Sequence, residues 1–131
     1  MPKYAVLIYW PEADQAAQGS PEYQKMAQEY AAFTQEIGKT GILQSAGGLA
    51  PTSSATTVRV RDGKTLTTDG PFAETREQLG GAWVFECKDL DEAITWAAKI
   101  PQAKNGSVEI RPYWQYCPGK QPLPPCGGGG G

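Results

Sequence analysis

The densest group of side chains with acid–base or anion-binding chemistry lies between Thr68 and Gly81, in the sequence TDGPFAETREQLGG. Asp-Gly-Pro-Phe is typical of a tight turn, because Asp accepts hydrogen bonds from nearby amides, Gly adopts positive φ and Pro fixes the exit. We expect Phe72 to anchor this turn from beneath. The loop would then present four charged side chains near the end of a central strand: Asp69, Glu74, Arg76 and Glu77.

Asp69 has two interpretations. As a catalytic residue it would be a general base, or would hold a polar substrate, in a cleft between sheet and helix. As a structural residue it would hold the turn, since Asp before Gly is very often turn chemistry. Glu74, Arg76 and Glu77 likewise form either a polar rim or a solvated set of ion pairs that contributes little.

A second charged pair, Glu109 and Arg111, is spaced i and i+2 and therefore shares one face of a strand. The pair could bind Glu77 or Arg76 across the molecule, or it could hold an acidic ligand. Both roles place a carboxylate and a guanidinium on an otherwise apolar sheet.

Aromatic residues give a further set of candidates. Tyr9, Trp83 and Phe85 could line an aromatic pocket, although the core or a dimer interface is the commoner use of such residues. Tyr30 lies on the apolar stripe of the first predicted helix and is a candidate binding residue.

The sequence contains no histidine. Ser–His and Cys–His catalysis, His-ligated haem and nearly all zinc sites that use His are therefore excluded. We expect no metal and no cofactor, and acid–base chemistry would fall to carboxylates, Tyr, Lys, Cys or a bound ligand.

The three cysteines are scattered along the chain, at Cys87, Cys117 and Cys126. In a reducing compartment we expect free thiols. Cys117 and Cys126 flank a Pro/Gly-rich stretch, and their oxidation to a small loop stays open as an alternative.

Composition limits the classes of partner. The 131 residues carry a formal net charge of -2 and no block of Lys or Arg, so we expect no direct binding to nucleic acid. The longest apolar run, Tyr4 to Trp10, is far shorter than the roughly 20 residues that span a bilayer. With no signal-peptide pattern either, the sequence predicts a cytoplasmic protein without membrane partners.

Hydrophobic periodicity and turn signals predict six strands and two helices. Ser20-Pro21 is typical of a helix start, and Asp89 begins a second helix. Asp62-Gly63 indicates a hairpin turn. The predicted helices cover 21–37 and 90–100, and the strands cover 4–10, 42–50, 56–61, 64–68, 78–87 and 107–113.

Without the hairpin, this order is β-α-β-β-α-β, the ferredoxin-like arrangement of two helices on one face of an antiparallel sheet. The central strands, at 4–10 and 80–87, are apolar on both faces. Two helices cover one face only, so we expect a second copy of the sheet to cover the other across a two-fold axis. The sequence thus predicts an α+β homodimer.

The composition changes after Pro112. Residues 117–131 are rich in Pro and end in five glycines, a composition that buries too little surface to offset the entropy of ordering. We therefore divide the chain into a domain at 1–116 and a flexible tail at 117–131.

The Asp69–Phe72 motif and its surroundings resemble the signature of the YCII-related superfamily, in its DGPF-domain branch. The resemblance extends through KYAVLIY (3–9), ATTVRVRDG (55–63) and GSVEIRP (106–112), and so covers nearly all of the chain before the tail. It implies a dimeric α/β-barrel of ferredoxin-like subunits. Most members are uncharacterised, and some are fused to sigma-factor domains or expected beside them.

One departure from the family pattern matters. The protein after which the family is named is thought to be an enzyme because of a His and an Asp associated with its first helix and the residues that follow. Here that helix carries Tyr23 and Tyr30 and no His, so the pair does not carry over. Asp69 and its loop remain as the candidates.

Two functions follow as hypotheses. The first is binding of a small polar or aromatic molecule in a cleft near the DGPF loop, extending to a cofactor-independent isomerase, lyase or dehalogenase with Asp69 as base and Arg76 or Arg111 as anion holder. The second is a non-catalytic ligand-sensing or protein-interaction module linked to sigma-factor-dependent transcription. The sequence leaves open whether the protein is an enzyme, and a fold alone does not decide it.

Overall fold

The computed structural model describes residues 1–114 of the chain. In this part the protein is α+β, with a four-stranded and a two-stranded antiparallel sheet and two α-helices. The predicted tail at 117–131 and the pair Cys117 and Cys126 lie outside the described residues.

The four-stranded sheet is built around two long central strands. Its members are β1 (Lys3–Trp10), β2 (Leu43–Ser45), β5 (Gln78–Glu86) and β6 (Ser107–Pro112), in the order β2-β5-β1-β6 with every neighbour antiparallel. This order is compatible with the predicted ferredoxin-like fold. The edge strand β2 is shorter than the predicted 42–50, because its register against β5 shifts between Leu43 and Ser45. Beyond β2, Gly48 forms an isolated antiparallel bridge with Gly81.

Both helices begin where the sequence predicts. Helix α1 (Pro21–Gly38) is capped by the Ser20 hydroxyl, which accepts a hydrogen bond from the Tyr23 amide at 3.1 Å. Helix α2 (Leu90–Ala97) is capped in the same way by Asp89. The predicted end of α2 at Ile100 is wrong by three residues, since the chain turns there into a short 3-10 helix, Pro101–Lys104.

The core lies on one face of the sheet, which we call the helix face. Alternate residues of β1 are buried there, as the period of a strand requires: Tyr4, Val6 and Ile8. They pack in one cluster with Phe85 of β5 and with residues of both helices, among them Phe33, Ile37, Ala93 and Ala97.

The opposite face, which we call the open face, is defined by Ala5, Leu7, Tyr9, Ala82 and Val84. None of these side chains belongs to the buried core cluster of the described residues. Leu7 and Val84 are partly buried and Ala82 is exposed, although all lie on the two central strands. The described chain therefore buries one face of an apolar sheet and leaves the other partly exposed to water.

Strands β3 (Thr56–Arg61) and β4 (Lys64–Asp69) form the predicted hairpin as a separate sheet. Asp62 and Gly63 both have positive φ, 53° and 73°, which is the requirement of the two-residue turn that suits hairpin twist. We expected β3 to be half-exposed, but almost every hairpin residue is exposed, with Val58 at 59% and Val60 at 60%.

Among residues 1–114, neither helix has the length and apolar character needed to cross a membrane.

Candidate functional site

A cavity of about 460 Å³ lies between α1 and the helix face of the sheet. We call it the helix-side cavity. Its volume is within the range of small-molecule pockets, about 300 to 1,000 Å³. Its floor is formed by β1 and β5, one wall by α1, and its rim by the segment after β1 and by the 3-10 helix and loop before β6. Its lining includes Trp10, Asp14, Glu22, Tyr30, Trp83 and Gln102.

One side of helix α1 forms a wall of the cavity. Tyr23, Met26, Ala27 and Tyr30 all line the cavity, and their spacing of three and four residues places them on one side of a helix. The Ser20 cap fixes the start of this helix, so the same local signal that begins α1 also positions the cavity wall.

The indole ring of Trp10 is placed by a bulge in β5. The register between β1 and β5 shifts after Ile8. Ile8 lies opposite Gly81, but the next residue, Tyr9, lies opposite Leu79, so Gly80 is left without a partner on β1. A Cβ atom on Gly80 would overlap the six-membered ring of Trp10. Glycine is therefore required here because the ring lies directly on the backbone.

Aromatic rings continue from the cavity into the core. The ring centroids of Tyr30 and Trp83 are 6.1 Å apart at an interplanar angle of 59°, and those of Phe33 and Trp83 are 5.6 Å apart. Distances of this size are typical of stabilising aromatic pairs. Burial raises the pKa of Tyr30 to about 12, so its phenol is neutral at physiological pH.

Two residues that line the cavity each hold a buried polar atom without a partner. The indole Nε1 of Trp10, a donor, and the amide Oε1 of Gln102, an acceptor, are buried without a hydrogen bond from any described residue. Buried polar groups are nearly always paired, and an unpaired one costs about 1 to 3 kcal/mol. A ligand or water molecule that paired either atom would remove this cost, which favours a small change of the cavity wall on binding.

The cavity rim is tied to the rest of the molecule through Glu12. Its carboxylate accepts hydrogen bonds from the amide and the hydroxyl of Thr52, each at 2.8 Å, and its own amide donates to the Gln78 side chain at 2.8 Å. These three bonds connect the segment after β1, the start of β5 and the loop before β3. The rim is thereby fixed although it has little regular secondary structure.

The structure places Asp69 at the end of β4, exposed and outside the helix-side cavity. Its carboxylate has no hydrogen-bond partner among the described residues. The turn is held instead by the backbone of Gly70, whose amide donates to Ala55 at 2.7 Å and whose carbonyl accepts from the Thr57 hydroxyl at 2.8 Å. The expected anchoring by Phe72 is wrong, since this side chain is 79% exposed.

The other charged residues of the loop are also near the surface. Glu74 and Arg76 are exposed and Glu77 is partly buried, and no described residue forms a salt bridge with any of them. A shallower groove of about 340 Å³ lies beside the loop, lined in part by Pro71, Ala73 and Thr75, but none of the four predicted charged residues lines it.

Glu109 and Arg111 share one face of β6, as predicted, and that face is the open face. They bind each other: the Arg111 Nε donates to Glu109 at 2.8 Å, and the Tyr9 hydroxyl donates to the same carboxylate at 3.3 Å. The hydrogen bond from Arg111 holds the pKa of Glu109 below its usual value, and the pKa of Arg111 is raised in turn. No contact with Arg76 or Glu77 is formed in the described chain.

Of the predicted site residues, the structure thus brings Glu109 and Arg111 together and leaves Asp69 and the DGPF loop apart from them. Of the predicted catalytic and binding residues, only Tyr30 lines the helix-side cavity. Trp83, from the predicted aromatic set, lines it as well. Sequence reasoning missed Trp10, Asp14, Glu22 and Gln102. The sequence does hold a signal for the position of Trp10. A large aromatic residue at the end of one strand and a Gly-Gly pair at 80–81 in another are complementary in size, which indicates that the ring packs on the glycines.

Among residues 1–114, no three side chains of His, Cys, Asp or Glu lie close enough to share a metal ion.

Comparison with known proteins places the chain in a family. The model of the YCII-related domain matches residues 3–116. An uncharacterized protein of Rhizobium meliloti (strain 1021) is 38% identical over 121 residues, which are 91% of this chain and 98% of that protein. The chain therefore belongs to the YCII-related domain family.

Proposed function

We propose that this YCII-related protein binds a small aromatic molecule in the helix-side cavity. The observation that carries the proposal is a space of about 460 Å³ with aromatic residues in its lining, where two lining residues, Trp10 and Gln102, each hold a buried polar atom without a partner. Pockets of this kind combine mainly apolar walls with a few polar groups that orient the ligand. Ring stacking on Trp83 and Tyr30 would supply affinity, and the two polar atoms would supply orientation.

The proposal moves the expected cleft away from the DGPF loop. Asp69 lies outside the cavity, whereas Tyr30, Asp14 and Glu22 are among its lining residues. Assignment to the DGPF branch and the role of Asp69 as a base stay predictions from the sequence motif. A cofactor-independent reaction in the cavity would use Tyr30, Asp14 or Glu22 as its acid or base.

The experiment is a thermal-shift screen of aromatic metabolites on four proteins: wild type, Ala27→Trp, Ala32→Trp and Asp69→Asn. Ala27 lines the cavity, so a Trp there fills it, whereas Ala32 is exposed on α1 outside the cavity and is the matched control. A ligand at 100 times its Kd stabilises the folded state by about 2.7 kcal/mol. We expect this stabilisation in wild type, in Ala32→Trp and in Asp69→Asn, and not in Ala27→Trp.

If a ligand stabilises Ala27→Trp but does not stabilise Asp69→Asn, its binding site lies at the DGPF loop and not in the helix-side cavity. The absence of any ligand for the folded wild-type protein would reject the binding proposal.

The partner we propose for the chain is a second copy of itself, and two observations support it. The open face presents Leu7, Tyr9 and Val84 on central strands, outside the core, and contiguous apolar surface of this kind marks an interface. The ion pair of Glu109 and Arg111 borders the apolar residues and would form the polar rim of that interface. We place this dimer in the cytoplasm, where Cys87 would be a free thiol.

A second candidate function is a protein-interaction module of the kind linked to sigma factors, and the observation that favours it is the hairpin. Val58 and Val60 are exposed on one face, and Arg59, Arg61 and Lys64 share the other. A two-stranded ribbon has little stability of its own in water. Binding to a sigma-factor domain that is lost in Val58→Lys/Val60→Lys would support this function.

A further inference from the structure

The helix-side cavity has a one-sided charge distribution. Asp14 and Glu22 line it at exposed positions, and none of its lining residues is Lys or Arg. The neutral Tyr30 phenol adds no charge. The lining of the cavity therefore holds two acidic residues and no basic one.

The nearest cations along the chain do not change this balance. Lys25 on α1 and Lys104 in the 3-10 helix are close in sequence to lining residues, but neither lines the cavity. Lys99 lies beside Trp96, and neither residue lines the cavity. Lys99 binds Glu36 at 3.0 Å, and its Nζ stands 4.5 Å from the centroid of the Trp96 ring.

The walls of the cavity suit a cation as well. Aromatic faces carry negative electrostatic potential and attract ammonium and guanidinium groups that lie within about 6 Å of the ring centroid. Three aromatic residues, Trp10, Tyr30 and Trp83, line this one space, and Trp has the best ring for this contact. The contact of Lys99 with Trp96 shows the same chemistry within this molecule.

We propose that the ligand of the helix-side cavity is an organic cation, an ammonium or quaternary ammonium group on an apolar or aromatic body. The cationic group would lie between the aromatic rings and the carboxylates of Asp14 and Glu22. The inference rests on the proposed function and gives it a class of ligand. It also departs from the acidic ligand expected from Arg76 and Arg111, both of which lie outside the cavity.

The test compares three phenols of similar size by isothermal titration calorimetry. They are (4-hydroxyphenyl)trimethylammonium, its neutral isostere 4-tert-butylphenol, and the anion 4-hydroxybenzoate. A desolvated cation–π contact predicts that the cation binds the wild-type protein at least about tenfold more tightly than the neutral isostere. The anion should bind more weakly than both.

The variants locate the effect. In Asp14→Asn/Glu22→Gln we expect the preference for the cation to fall by about threefold or more, since two surface carboxylates each contribute modestly. The control is Glu29→Gln/Asp62→Asn, which removes the same charge from residues outside the cavity and should keep the full preference. Ala27→Trp should abolish binding of the cation.

The outcomes separate the two proposals. Equal or tighter binding of 4-tert-butylphenol, lost in Ala27→Trp, would overturn the cation inference and leave the proposed function standing. No binding of any of the three phenols would count against the proposed function itself. A preference for the cation that survives in Asp14→Asn/Glu22→Gln would overturn the role given to the carboxylates.

Discussion

Tyr30 connects the core and the cavity at the scale of one residue. Its ring packs against Trp83, and burial raises the pKa of its phenol to about 12 from 10.0. The folded state therefore favours the neutral phenol. The stability that comes from this preference is fully present below about pH 10 and is lost as pH rises towards about 12, because the folded protein resists the ionisation that the unfolded chain undergoes.

We expect the free energy of unfolding of the wild-type protein to fall more steeply between about pH 10 and pH 12 than that of Tyr30→Phe. The phenylalanine ring keeps the packing and removes the titrating group. Urea unfolding at a series of pH values measures this. The control is Tyr113→Phe at an exposed tyrosine, which should follow the wild type. Parallel curves for Tyr30→Phe and wild type would contradict the prediction.

Residue identity alone gave an incomplete picture of the charged groups. Asp69, Arg76 and Glu77 are of the right type for acid–base chemistry or anion binding. Asp69 is the last residue of β4, and Arg76 and Glu77 end the loop that leads to β5. Whether a cavity lies beside them depends on how that loop packs, which the motif does not contain. Glu109 and Arg111 show the opposite case, since their spacing of two was sufficient to place them together.

The bulge in β5 is the feature of greatest consequence at the scale of elements. It leaves Gly80 unpaired, lets the Trp10 ring lie on the backbone and so gives the cavity one of its aromatic walls. A regular strand would pair Gly80 and leave the ring of Trp10 in a different position. Bulges commonly redirect side chains in this way beside functional sites.

We expect Gly80→Ala to destabilise the protein by about 1 to 3 kcal/mol, because the new methyl group displaces the Trp10 ring. Chemical unfolding measures the loss, and near-UV circular dichroism reports the movement of the indole. Gly47→Ala is the matched control, since a Cβ there would meet only the Ala82 carbonyl oxygen, at 3.9 Å. Equal stability of the two variants would show that the ring is not held on Gly80.

Local sequence signals predicted most of the helices and strands. They did not predict where an element ends when tertiary packing determines that end. The Ser20 and Asp89 caps and the Asp62-Gly63 turn are local, and each lies where the sequence indicates. Strand β2 and helix α2 are both shorter than their apolar patterns. Strand β2 ends where its register against β5 shifts, and helix α2 is followed by the 3-10 helix Pro101–Lys104.

At the scale of the whole molecule, the open face is where we expect a second copy of the chain to pack. We expect the wild-type protein to sediment as a dimer at micromolar concentration and Val84→Lys to sediment as a monomer, because a charge would be buried in the interface without a partner. Leu90→Lys is the control, since Leu90 is an exposed apolar residue on α2 and should leave the dimer intact. A monomeric wild-type protein would reject the dimer.

The sequence by itself determined the α+β class, the positions of the helix starts, the hairpin and the family, because caps, turns and strand alternation are properties of neighbouring residues. The absence of histidine also excluded whole classes of chemistry from composition alone. Tertiary structure alone decided the position of the cavity. Trp10, Asp14, Glu22 and Gln102 come from separate segments, and only the shift in register between β1 and β5 and the packing of α1 on the sheet bring them to one space.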